Sequence, residues 1–120
     1  MAGVLVVEDD ETLRMLFALA FEVEGFVVYQ ANDGLVALDI LRAHQDDISL
    51  VVTDLGMPNL GGVDLISRIR ATNATVYIIG ISGFGANNVR DLVLAAGAND
   101  FLPKPLSIPD VISKVKSFIT

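Results

Sequence analysis

Asp54 stands at the end of the run Leu50-Val51-Val52-Thr53, and Pro58 follows four residues later. Four apolar or β-branched residues read as a short buried strand, and the proline stops that strand from simply continuing. A carboxylate at the mouth of a buried strand costs free energy unless something uses it. Taken alone, Asp54 could cap a turn or hydrogen-bond its own loop. It does not stand alone. Glu8, Asp9, Asp10 and Glu11 close the apolar run Val4–Val7, Ser82 closes VYIIGIS, and Lys104 sits between Pro103 and Pro105 after Phe101-Leu102.

Brought together, Glu8, Asp9 and Asp54 would repel one another, so either their pKa values rise or a hard cation lies among them. Carboxylate oxygens with room for water are the ligands Mg2+ prefers. Asp10 and Glu11 have an equally good explanation as acidic residues in the first turn of a helix. Lys104, usually a solvated surface residue, becomes beside three carboxylates a counter-charge able to contact a phosphoryl oxygen. The Ser82 hydroxyl can donate to the same group. Ser82 is a poor nucleophile here because the single histidine, His44, falls on an exposed helix end and cannot activate it. Asp54 itself can accept a phosphoryl group as an acyl phosphate, with metal, lysine and hydroxyl dividing the charge on the phosphoryl oxygens.

The elements that must position these residues alternate. Strands are expected at 4–7, 26–29, 50–54, 76–81 and 101–102. Helices follow each: one with Leu13, Leu16, Phe17, Ala20 and Phe21 inward and Gly25 as its stop, and one beginning at Asn32-Asp33-Gly34 with Ala37, Ile40 and Leu41 inward. The third, after the Pro58–Gly62 loop, turns Val63, Ile66 and Ile69 inward. The fourth spans 86–96 and stops at Gly97. The last spans 108–119, with Ile108, Val111, Ile112 and Val115 as its stripe. Such alternation predicts an α/β fold: a parallel sheet with right-handed crossovers and helices on both faces. In it every strand's C-terminal end meets one edge, where ligands bind. The residues after the strands therefore converge.

Composition agrees. The 120 residues suit one domain, and the 52% hydrophobic content and mean hydropathy of +0.58 suit strands buried on both faces. No apolar run approaches the roughly 18 residues of a spanning helix, and no basic-then-apolar leader opens the chain. Without cysteine there is no disulfide or thiolate metal site, and a cytoplasmic protein is expected. A net charge of −7 disfavours direct binding to nucleic acid or an anionic membrane and suits a cation or a basic partner surface.

The pieces VLVVEDDE, LVVTDLGMPNLGGVDLISRIRA, IIGISG and AAGANDFLPKP, in this order, resemble the receiver domain of two-component response regulators over residues 4–119. The resemblance implies a single (βα)5 domain with strand order 2-1-3-4-5, and no output domain before Thr120. It implies Asp54 as phosphoacceptor, Glu8 and Asp9 as the acidic pair, and Mg2+ (or Mn2+) held by Asp9, Asp54 and the Gly56 carbonyl, with Glu8 reaching it through water. Ser82 becomes the switch hydroxyl, Lys104 the lysine of the site and Phe101 the switch aromatic. A cis Lys104-Pro105 bond is also implied. Expected partners are a sensor histidine kinase or histidine phosphotransfer protein, and a downstream protein or second copy on the fourth helix, fifth strand and fifth helix. Arg90, Asp91, Lys114 and Lys116 could serve that face. The domain would dephosphorylate itself slowly without being a dedicated enzyme.

Several positions depart from the common pattern, among them Glu8 in place of the commoner aspartate. Gly61 replaces a frequent aspartate, so the next helix loses a side-chain cap. Ser82 replaces the commoner threonine and loses a methyl that stiffens the rotamer. Gly83 and Gly85 loosen the loop that follows. Two rival readings stand beside this one. A phosphorylation-independent interaction module would keep the same site unused. A haloacid-dehalogenase-like phosphatase is imitated by Glu8-x-Asp10-x-Thr12, but would put glutamate at the nucleophile and leave Asp54 idle. A flavodoxin-like cofactor binder is disfavoured, since Glu8–Glu11 would repel a phosphate.

Overall fold

The computed structural model describes residues 3–56, 60–73, 75–83, 86–104 and 107–119. Pro58, Gly85 and the Lys104-Pro105 bond lie outside the described residues. The order is β1 (Gly3–Val7), α1 (Glu11–Val23), β2 (Val27–Ala31), α2 (Gly34–Ala43), β3 (Ile48–Asp54), α3 (Gly62–Thr72), β4 (Tyr77–Ser82), α4 (Ala86–Ala96), β5 (Asp100–Pro103) and α5 (Ile108–Ile119). All strand pairs are parallel, in the order β2-β1-β3-β4-β5. This is the expected five-stranded α/β fold.

The apolar runs are explained by burial on both faces. Leu5, Val7, Val51 and Ile78 face a core shared with Leu38, Leu65, Ile66, Ile69 and Val93, under α2, α3 and α4. Their neighbours Val4, Val6, Leu50, Val52 and Ile79 face the other core, with Phe17, Phe21, Val111 and Val115 of α1 and α5. Successive strand residues point to opposite faces, so strands between two helical layers have no polar side to show. The edge strand β2 escapes this rule and leaves Val27 44% exposed.

The helix starts follow local chemistry. Asp10 caps α1 by accepting from Leu13 N at 2.9 Å, and Asp33 caps α2 by accepting from Val36 N at 2.8 Å. Gly61 at the start of α3 makes no such bond, as the missing aspartate predicts. Gly25 and Gly97, with φ of 94° and 118°, end α1 and α4 in the left-handed region.

Some expectations need correcting. Leu16 does not belong to the inward stripe of α1, since it is 47% exposed while Phe17, Ala18 and Phe21 are buried. At about 100° per residue, Leu16 lies on the side of the helix away from the arc those three define. Strand β2 starts one residue later and runs two further than expected. Phe26 N is taken by Phe21 O at the exit of α1, and pairing with β1 continues to Ala31. Val76 precedes β4 because Asn73 Oδ1 holds its N–H in a turn at 3.0 Å.

Candidate functional site

The register brings the strand ends into step. Asp54 is opposite Ile81, Ile81 is opposite Leu102, and Ser82 is opposite Pro103. Lys104 therefore emerges beside the end of β3, its own N–H bonded to Ser82 O at 2.8 Å. On the other flank β1 pairs with β3 through Val7 and Thr53, so Glu8 and Asp9 leave β1 beside Asp54. One carboxylate oxygen from each of Glu8, Asp9 and Asp54 lies within 4.8 Å of the others. The Lys104 Nζ is 3.1 Å from Asp54 Oδ1 and 3.8 Å from Glu8 Oε1.

The loops are held by small, local contacts. Thr53, fully buried, donates its hydroxyl to Asp54 O at 2.8 Å. Leu55 N donates to Ile81 O at 3.1 Å, and Gly62 N to Leu55 O at 3.1 Å, which folds the β3–α3 connection back on itself. A Cβ on Gly62 would come 2.6 Å from Leu55 Cα and 2.7 Å from Asp54 O. That position accepts only glycine because the main chain returns so close to the acidic strand end.

Electrostatically the cluster is strained. Glu8 is 4% exposed, and burial is the main reason its pKa is pushed up to about 7. The Asp10 N–H on its Oε2 at 3.1 Å works the other way, and Asp9 and Asp54 add to the rise. Burial also works against the Lys104 ammonium. The hydrogen bond and charge of Asp54, with Glu8 and Asp9 behind it, outweigh that and hold its pKa above the usual lysine value. One ammonium faces three carboxylates. The donor set is all hard oxygen, and it is short of positive charge, so it fits Mg2+ better than a softer metal.

The structure brings together Glu8, Asp9, Asp54 and Lys104, with Ser82 tied to Lys104 through the main chain. Gly56 follows two residues after Asp54 and is exposed. Phe101 is elsewhere: 3% exposed, it sits in the core that also holds Val93 of α4. It is already inward, so any switching motion starts from the buried position. His44, placed on the surface from sequence, closes α2 and packs on the Tyr29 ring at 4.5 Å. Lys114 and Lys116 are less available than their sequence position suggests. Lys114 pairs with Asp100 Oδ2 at 2.7 Å, and Lys116 pairs with Glu24, just past the end of α1, on the other side of α5.

Sequence reasoning missed Arg14. Its Nη1 donates to Glu8 O at 2.9 Å and its Nε to Gln30 Oε1 at 3.3 Å. The only signal was its position one turn after the acidic run.

Residues 4–116 match the family described as response regulator receiver domain. The chain is 35% identical over 119 residues to the transcriptional regulatory protein CpxR of Escherichia coli, covering 99% of this chain and 50% of CpxR. It is 31% identical to the sensor kinase CckA of Brucella abortus, over 98% of this chain and 12% of that protein. The chain thus spans about half the length of CpxR and a small part of CckA. Among solved structures, a receiver domain protein from Clostridium thermocellum superimposes with a TM-score of 0.92 at 27% identity, over 99% of this chain and 94% of that one. A chain of the CheX-CheY-BeF3-Mg2+ complex from Borrelia burgdorferi does so with a TM-score of 0.92 at 29% identity, over 99% and 90%. Among the described residues, no helix is long and apolar enough to cross a membrane. The matched family, the strand order and the converging strand ends agree: the chain belongs to the response regulator receiver domain family of two-component systems.

Proposed function

We propose that residues 4–119 form a phosphorylation-activated switch in which Asp54 accepts a phosphoryl group from the phosphohistidine of a sensor kinase or histidine phosphotransfer protein. The observation that carries this reading is the Asp54 carboxylate at the end of β3, within 4.8 Å of Glu8 and Asp9 oxygens and 3.1 Å from Lys104 Nζ. A carboxylate oxygen of Asp54 attacks phosphorus. The P–N bond breaks with its electron pair left on the imidazole nitrogen, and an acyl phosphate forms. Asp9, Asp54 and the Gly56 carbonyl would hold Mg2+, with Glu8 reaching it through water. Bound there, Mg2+ supplies positive charge to the phosphoryl oxygens and offsets carboxylate repulsion. Lys104 pairs with the phosphoryl group once its ion pair with Asp54 is broken by phosphorylation, and the Ser82 hydroxyl donates to the same oxygens. Water later attacks phosphorus and returns Asp54 with inorganic phosphate.

The readout is a change in the face formed by α4, β5 and α5. Lys104 N is bonded to Ser82 O, and Phe101 lies three residues back along β5 against Val93 of α4. Displacement of Lys104 and Ser82 therefore reaches α4 through one short strand, biasing an existing equilibrium. On the donor side, Met15, Leu16 and Leu19 are exposed on one side of α1, the helix that follows the acidic loop, and offer a phosphodonor protein an apolar contact. Two-component partners of this kind place the switch in the cytoplasm. The BeF3 and Mg2+ of the Borrelia complex support the same chemistry by likeness.

The test is intact mass after incubation with a small phosphodonor, with and without Mg2+, beside Asp54→Asn. One labile phosphoryl group that needs both Mg2+ and Asp54 is the expected result. No adduct, with Mg2+ shown to bind, would instead mark an interaction module that keeps the site unused.

A further inference from the structure

The main chain of Glu8 is held on both sides, at its N–H and at the carbonyl it shares with the Glu8–Asp9 peptide. Glu8 N donates to Ala31 O at 3.1 Å, and Glu8 O accepts from Arg14 Nη1 at 2.9 Å. Arg14 is itself aimed by Gln30 on β2, whose Oε1 accepts from Nε at 3.3 Å, and Arg14 N is bonded to Asp10 O at 2.9 Å. Among the described residues, the cation that pairs with the Glu8 carboxylate is Lys104, at 3.8 Å. Arg14 spends its bond on the main-chain carbonyl instead. A cation one turn from the acidic run would neutralise it by facing the carboxylates, but this guanidinium grips the backbone that carries Glu8 and Asp9.

We infer that Arg14 is a positioning residue for the cation site. By fixing the Glu8 carbonyl it sets the Glu8–Asp9 peptide, and so the approach of the Asp9 carboxylate to those of Glu8 and Asp54. The inference rests on the reading of that site as a Mg2+ site. It makes a prediction of opposite sign to plain electrostatics. Removing a positive charge near a cation site should tighten Mg2+ binding by Coulomb's law. Removing a residue that orients the ligands should weaken it, by about tenfold or more for supporting contacts of this kind. The second term dominates here because Arg14 contacts the peptide directly.

The experiment is calorimetric titration of the full chain with MgCl2, comparing wild type with Arg14→Met, Arg14→Lys, Gln30→Ala and Asp54→Asn. Arg14→Met is expected to raise the Mg2+ Kd about tenfold. Arg14→Lys, which keeps the charge and one donor, should recover part of the loss. Gln30→Ala should weaken binding by a smaller factor, since it frees the guanidinium without removing it. Equal or tighter binding by Arg14→Met overturns the inference. If Arg14→Met does not unfold cooperatively, Gln30→Ala decides, and wild-type affinity there overturns it. Failure of the site reading looks different. If Asp54→Asn binds Mg2+ like wild type, the site reading falls while the Arg14 comparison stands. A wild type that binds no Mg2+ overturns both.

Discussion

The two edges of the sheet solve opposite problems. At the C-terminal edge, three carboxylates from β1 and β3 face one lysine. At the N-terminal edge, one guanidinium meets four neutral oxygens. Arg70, near the end of α3, donates to Gly97 O at 3.0 Å, Asn73 O at 3.2 Å, Val76 O at 2.8 Å and Asn99 Oδ1 at 2.8 Å. Asn99 in turn receives Ile78 N at 2.9 Å and donates its own N–H to Ile78 O at 2.8 Å. A charge surrounded by carbonyl dipoles is satisfied without bringing in a counter-ion. A charge among like charges is not, and it waits for a cation or a chemical change. The difference teaches where this fold can move. The end of α4 is pinned at Gly97, where a Cβ would come 2.8 Å from Arg70 Cγ. Its start follows Ser82 and Gly83, beside the site. A switch driven from Asp54 would tilt α4 about its pinned end.

Breaking the pinned edge should have the largest effect. Arg70→Met leaves several carbonyls and the Asn99 side chain short of a donor, and should destabilise the chain by about 3 kcal/mol. Urea denaturation reads this directly. Mg2+ affinity should be unchanged, because nothing at the other edge depends on Arg70. A fall in Mg2+ affinity as large as the fall in stability would show that the two edges are not separable.

The charged edge should respond to pH. Glu8 has its pKa raised from 4.5 to about 7 in the folded chain. Between those values the unfolded chain gives up a proton that the folded chain keeps. Metal-free stability should therefore be greatest below about pH 4.5 for this group, fall as pH rises, and level off above about pH 7. The total is about 3 kcal/mol. Glu8→Gln should flatten that part of the pH profile, and a profile unchanged by Glu8→Gln would assign the slope to another group. Mg2+ should remove most of the loss by rewarding the ionised form.

Much of this arrangement could be read from the chain because of what each edge is made of. Glu8, Asp9, Asp54, Ser82 and Lys104 are side chains with distinctive chemistry, and a parallel sheet sends every strand's C-terminal end to one side. The N-terminal edge is built from main-chain carbonyls, which any residue supplies, so Val76 and Gly97 gave no sign of contacting Arg70. Arg14 escaped notice for the same reason, as its partner is the carbonyl of Glu8. Periodicity placed the helices well but widened the α1 stripe to Leu16, because apolar spacing does not say how wide a strip the sheet covers. Lys114 looked like a free surface charge until β5 brought Asp100 to it.

The smallest expected effect concerns the boundary between site and scaffold. Gly61→Asp supplies the side-chain cap that α3 lacks. It should add roughly 0.3 kcal/mol of stability. Thermal unfolding at neutral pH is sensitive enough to see it. Loss of stability instead would mean that the added carboxylate feels the acidic edge more than the helix start.

The division between a responsive edge and a fixed one is tested most directly by amide hydrogen exchange on the unmodified and phosphorylated chain. The account predicts altered protection at Ser82, Gly83, the first turns of α4 and Lys104, with Val76, Ile78, Ala98 and Asn99 unchanged. Altered protection around Arg70 with no change beside Asp54 would contradict it.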